Sequence, residues 1–459
     1  MSSLAQPLAP TRPSAPVLNL LHSSAAAWGL LFSGLSVVIW GASLVIGFPA
    51  ALSMLMAMGF AAAILGLRWP VPGLLGIGML CTLDTVTRNF LLLGGVLRFN
   101  TFNYWLVLVI VLAAPRLLRL QDPHARLLQW FLIVLGLGLL STTDLVRGVQ
   151  HVLNLFIVFG LLVYFLRAVE EEEVWYWLGV VSGVVAGAGG LAFFLHRSAL
   201  QYVNPNSVTH FPLTALFCIC LAAHFVSGRS RPLLVLGVLA TVNIVWVFLT
   251  GSRGGLLMAL FCSSFLLLEV RGFSRRLLIV ALASLLGVAV VSQFTALQEK
   301  TIHRVEKLFD TKYSMAGRTS GRSDLALGGL HMFLEHPFGV GTGSFSHTWA
   351  KMSRIKESSG SFYHREKAAH SGWVKTLAEN GLPGILLQIA FVTSFALAGW
   401  GKRREGLFSL GMLVTGVFGV AFISTEFQGK GLWLLAAGVI ALLHYHPQTR
   451  PSSAVVGRN

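Results

Sequence analysis

Apolar runs of about 20 residues, the length that crosses the hydrocarbon of a bilayer as a helix, recur along this chain. They lie at 27–47, 49–67, 71–83, 102–115, 127–142, 148–166, 174–195, 211–227, 232–250, 254–270, 277–295, 384–400, 407–424 and 431–445. The runs at 71–83 and 102–115 are short, so about 12–14 transmembrane helices are expected. No strand-like alternation repeats along the chain, which sets a β-barrel aside. The fold expected is an all-α polytopic membrane protein. A mean hydropathy of +0.73 with only 11% charged residues fits that class.

The formal charge of +16 invites a nucleic-acid reading. Its distribution argues otherwise. Basic residues cluster in short loops: Arg116, Arg119 and Arg126; Arg229 and Arg231; Arg271, Arg275 and Arg276; Lys402, Arg403 and Arg404; Arg450 and Arg458. These are positive-inside signals, and no nucleic-acid partner is expected. Assigning them to the cytoplasm puts 84–101, 143–147, 196–210, 251–255, 293–383 and 425–430 on the opposite face. The expected organisation is a cytoplasmic lead at 1–26, a helical bundle at 27–295, a large periplasmic loop with short helices at 296–383, C-terminal spans at 384–446 and a cytoplasmic tail at 447–459. Cys81, Cys218, Cys220 and Cys262 all fall in apolar runs and read as packing residues, not as a disulfide frame or a metal site.

The long polar interval carries six of the fourteen histidines: His303, His331, His336, His347, His364 and His370. None has HExxH or comparable spacing, so zinc is not expected there. The five aspartates form no Asp-x-Asp pair for magnesium. Neither a metal nor another cofactor is expected. Chemistry on the outer face has no ATP and needs an already activated substrate, for which a lipid-linked diphosphate is the usual form. The spans themselves read as nearly free of ionisable residues, which argues against a transport path.

Three segments carry chemistry. In Gly251-Ser252-Arg253-Gly254-Gly255, Arg253 sits at a tight turn near the membrane boundary. Two readings stand: a guanidinium fork for phosphate oxygens, or a snorkelling arginine in a Gly-rich hairpin. Arg318 and Arg322 precede an expected amphipathic helix at 324–335, broken by Pro337-Phe338-Gly339-Val340-Gly341-Thr342-Gly343. They suit a diphosphate, or simply make a basic loop drawn to lipid headgroups. His370 opens a helical pattern that Gly381 and Pro383 are expected to close. Near a helix N-terminus neutral imidazole is favoured, ready to take a hydroxyl proton. The competing reading is a histidine that only caps or packs.

Those segments, in this order, resemble the O-antigen ligase and polymerase superfamily of bacterial integral-membrane glycosyltransferases. The match rests on Leu249-Thr250-Gly251-Ser252-Arg253-Gly254-Gly255, on 322–343 with Glu335-His336-Pro337-Phe338-Gly339-Val340-Gly341 at its centre, and on 370–384, with Ser371 after His370 and Glu379-Asn380-Gly381 later. Asn204-Pro205-Asn206 is a weaker echo. The resemblance implies a GT-C-like architecture, an undecaprenyl-diphosphate-linked polysaccharide donor, and a metal-independent inverting transfer. For a ligase it implies a lipid A–core acceptor, in the bacterial inner membrane with the active site facing the periplasm. It implies that Arg253 and Arg322 bind the diphosphate and that His370 is the general base. Arg318, Arg88 and Lys430 are added as phosphate contacts on charge and sidedness. One departure stands out: Asp324-Leu325-Ala326-Leu327 replaces the bulky aromatic usual after the loop arginine. O-antigen polymerases and protein O-oligosaccharyltransferases share the donor and differ in acceptor, which the sequence does not display.

Overall fold

The apolar runs are helices, and their ends sort onto two opposite faces of one bundle. A computed structural model describes residues 23–87, 120–196, 205–226, 229–250, 252–269, 322–352, 369–424 and 430–445. In chain order the α-helices are α1 (Ser24–Ile46), α2 (Phe48–Leu65), α3 (Pro70–Thr87), α4 (Pro123–Gly138), α5 (Leu145–Ala168), α6 (Glu172–Leu195) and α7 (Pro205–Val226). There follow α8 (Ser230–Thr250), α9 (Arg253–Glu269), α10 (Arg322–Glu335), α11 (Phe345–Lys351), α12 (Gly372–Gly401), α13 (Phe408–Ser424) and α14 (Lys430–His444). Eight of the described helices are long and apolar enough to span a membrane, and α3, α9, α13 and α14 contain shorter apolar helices. No strand occurs among the described residues. The chain is an all-α, multi-pass membrane protein. The expected spans at 102–115 and 277–295 lie outside the described residues, as do Arg88, Arg318, His303 and His364.

Helix α6 is the hub, packed against α1, α3, α7 and α8. Lipid is as apolar as a leucine face, so association rests on close contact, which small residues permit. A Cβ on Gly179 would come 2.6 Å from that of Ala222 on α7, and one on Gly190 would enter the Trp246 ring of α8. Helix α12 packs on α13 and α4, and α14 on α5. The four cysteines are buried and outside any disulfide, as expected of packing residues.

Polar contacts define the two faces. On one, the basic-loop face, Arg167 donates to the carbonyl oxygens of Gly66 (2.6 Å) and Arg68 (3.4 Å). There too, His224 faces Glu269 at 3.8 Å, and Glu269 accepts from Ser409. On the other face, His196 Nε2 lies 3.1 Å from Ser43 O, and Thr209 meets Thr250 at 2.5 Å.

Two sequence expectations need correction. The bundle is not nearly free of ionisable groups: Asp84, His151, Glu269, Lys375, Glu379 and Lys430 all sit in apolar helices, and each has a charged or imidazole neighbour. Desolvation makes a lone buried charge too costly, so these residues are retained in pairs. Lys430, expected as a phosphate contact, is almost wholly buried at the start of α14, and its ammonium faces Asp84 of α3. The sequence kept the two 346 positions apart, and only folding joins them. Removing one partner leaves an uncompensated charge, so Asp84→Asn or Lys430→Met alone should lose about 3–5 kcal/mol. The double variant should recover most of that in thermal unfolding of detergent-solubilised protein; additive losses would contradict the pairing.

Candidate active site

The polar segment after α9 folds onto the bundle through a small core of its own. Leu325 and Met332 of α10, Phe345 and Trp349 of α11, and Ala369 and Ala378 pack together. Leu325 therefore fills part of this core from within the stretch that departs from the family pattern. Gly329 lets α10 lie against α12, since a Cβ there would strike Val374. Helix α10 starts at Arg322, two residues before the expected start. Burial pulls the Arg322 guanidinium's pKa down from its ordinary value. It remains cationic, because arginine does not deprotonate in proteins.

The glycine-rich turn at 337–343 follows α10. It locks onto α12 through the main chain. Val340 N donates to Ala378 O (2.9 Å), Gly341 N to Glu379 O (3.0 Å) and Leu382 N to Pro337 O (3.0 Å). Gly381 has φ 59° and ψ −154°, a region open essentially to glycine alone, and a Cβ there would collide with Pro337 O. The helical backbone breaks at Gly381, as the sequence pattern led one to expect. A second helical run follows directly and continues to Gly401, so α12 is two helices joined at Gly381, the first in the polar segment and the second a span. Thr342 then fastens the turn to α4. Its hydroxyl lies 2.9 Å from Leu135 O and 2.8 Å from Asn380 Oδ1, and its N–H donates to Gly138 O.

Glu379 lies at the centre of this join, and sequence reasoning assigned it no role. It is 2% exposed. Its carboxylate accepts from Phe345 N at 3.1 Å and lies 3.6 Å from His151 Nδ1 of α5. His151 Nε2 is 2.7 Å from Lys375 Nζ. Lysine and glutamate one helical turn apart in α12 thus share a histidine from another helix, and their charges cancel locally. A small cleft lined by Phe131, Leu135 and Leu155 reaches this cluster. The sequence signal was present: two ionisable residues four apart in a helix that leads directly into a span.

His370 does not open α12. Ser371 is the N-cap, its hydroxyl accepting from Val374 N at 3.3 Å, and the helix begins at Gly372. His370 stands just outside, exposed, with φ +52°. It is the one non-glycine with positive φ among the described residues, a conformation that costs about 1–2 kcal/mol for an L-residue. Trp373, three residues on, donates to Gly419 O of α13 at 3.2 Å. Helix α13 in turn packs against α9, with Gly416 beneath Phe261. Arg253 is the first residue of α9, which Ser252 caps by accepting from Gly255 N at 3.3 Å. The helix directions therefore bring Arg253, Arg322 and His370 to one end of the bundle, opposite the basic-loop face.

Residues 235–389 match the family described as O-antigen ligase. That match, over about a third of the chain, supports membership of the O-antigen ligase superfamily. The matched stretch holds Arg253, Arg322, His370 and Glu379, whereas His151 lies before it. No curated protein matches the chain. Such membership supports an integral-membrane enzyme of glycosyltransferase type.

The interlock makes a direct prediction. Gly381→Ala should cost on the order of 1–3 kcal/mol through backbone strain and should raise hydrogen exchange at the amides of Val340 and Gly341. Unchanged protection there would contradict the role given to the turn.

Proposed function

We propose that this protein is an O-antigen ligase. It transfers polysaccharide from undecaprenyl diphosphate to an outer-core sugar of lipid A–core at the periplasmic face of the bacterial inner membrane. What supports this reading is that Arg253, Arg322 and His370 all fall within the matched segment, each at or beside the start of a helix, α9, α10 and α12. The acceptor hydroxyl oxygen attacks the anomeric carbon of the donor as the bond from that carbon to the phosphate oxygen breaks, inverting the centre. His370 takes the hydroxyl proton; its exposed, N-cap-adjacent position is open to an incoming sugar and close to the helix dipole that disfavours imidazolium before reaction. The departing diphosphate gains negative charge, which the guanidinium groups of Arg253 and Arg322 neutralise, with Arg318 and Arg88 as further phosphate contacts. Half-burial strengthens the Arg322 interaction, because less water competes for the guanidinium.

On this mechanism His370→Ala should lower the transfer rate by about 10²–10⁴-fold while leaving the fold intact. Arg322→Ala should cost roughly 10²–10³-fold, and Arg322→Lys should recover it only in part, since a point charge lacks the fork. EDTA should leave the rate unchanged; strong inhibition reversed by one metal would refute the metal-free mechanism. The deciding test is a gel of lipopolysaccharide from a deletion strain complemented with wild type or His370→Ala. Loss of every O-antigen band with accumulation of lipid-linked polymer, restored by wild type alone, is the expected result. A ladder collapsed to core plus one repeat would mean a polymerase. An unaltered ladder would redirect the search to protein glycosylation.

A further inference from the structure

A second polar cluster lies at the basic-loop face, at the end of the bundle away from His370. Asp122 caps α4, its Oδ1 accepting from Ala125 N at 2.8 Å. Its Oδ2 accepts from the Tyr445 hydroxyl at 2.9 Å. His124, in the first turn of α4, is fully buried, with the Phe395 ring 4.3 Å away. Its Nδ1 lies 2.9 Å from Nε2 of His444, the last residue of α14. A carboxylate oxygen of Asp122 and one ring nitrogen from each histidine all fall within 4.8 Å of one another. The second nitrogen of His124 is buried and turned toward the main chain of Ser394.

A hydrogen bond between two neutral imidazoles uses one proton and leaves both rings otherwise poorly matched to a buried site. A divalent ion would use the same lone pairs better. Zinc takes His nitrogen and carboxylate oxygen at about 2.0–2.2 Å in a tetrahedral shell, which puts ligand atoms roughly 3.5 Å apart. The observed separations, 2.9 Å between the two histidine nitrogens and none among the three ligand atoms above 4.8 Å, bracket that spacing. We propose that Asp122, His124 and His444 form a binding site for one divalent transition-metal ion of the zinc class. Two neutral imidazoles and one carboxylate make a ligand set suited to such an ion. The Tyr445 hydroxyl orients the carboxylate from outside, as second-shell donors do at metal sites. Lys402 lies close enough to His444 to act on its charge. Glu405, 3.8 Å from the lysine ammonium, offsets part of that repulsion.

The ion would staple the end of α14 to the start of α4, positions 320 residues apart. Its ligands lie outside the matched segment 235–389 and across the bundle from His370. Occupancy therefore acts on stability and not on transfer, which keeps this site distinguishable from the reaction chemistry.

The test titrates chelator-stripped, detergent-purified protein with Co²⁺, whose tetrahedral complexes absorb visible light, followed by displacement with Zn²⁺. Wild type should bind one equivalent with a tetrahedral spectrum and gain thermal stability from Zn²⁺. His444→Gln should bind at least about tenfold more weakly, because loss of even an outer-shell partner has that effect. His444 is only half-buried at a helix end, so this variant should elute as wild type does. His124→Gln is the matching variant for the buried ligand. Absence of a tetrahedral Co²⁺ spectrum in wild type, or equal affinity in His444→Gln, would overturn the proposal.

Discussion

Main-chain hydrogen bonds between the 337–342 turn and the 378–382 stretch of α12 are the constraint on which the rest of the candidate site depends. They need no particular side chain, only a backbone that comes close, and glycine at 381 makes that approach possible. Their effect is to make one body of the helix headed by Arg322 and the helix preceded by His370. Because a second helical run follows Gly381 directly into a span, that body is joined at once to the membrane-embedded part of α12. Thr342 on α4, and Ser344 beside Thr142 and Thr143, tie it to the bundle from a second direction. A polar segment at a membrane surface would otherwise be held by little, since apolar burial there is small.

Charge is distributed on the same logic. Among the described residues, these buried ionisable groups are matched: Glu379 with Lys375 and His151, Asp84 with Lys430, Glu269 with His224. These clusters spend their charge on one another, because unmatched charge in a low-dielectric interior is costly. Arg322 stands differently, half-buried at the head of a helix, and His370 is exposed in a strained backbone conformation. Strain of this kind persists where the surroundings impose it. Here the Ser371 cap on one side and the buried Ala369 on the other fix the chain around His370. The charges left over for chemistry thus sit at one end of the bundle, while the interior is electrically closed.

What the sequence determined by itself was the class of molecule. Runs of apolar residues dictate membrane helices because backbone polar groups have no water to bond with in hydrocarbon, and this requires no knowledge of neighbours. The clustering of Arg and Lys in short loops likewise separated the two faces, and the order of the three motif blocks pointed to the family. Local rules also carried the start of α10 to within two residues.

Only tertiary structure decided the rest. The break at Gly381 was legible locally, but the turn at 337–342 that bonds to the main chain on both sides of it was not. Lys430 read as a phosphate contact until α14 packed it against Asp84, and Glu379 read as an unassigned motif residue until α5 brought His151 to it. The common reason is that a buried charge or a positive φ is set by groups distant in the chain. Their proximity is a property of packing, which no window of sequence contains.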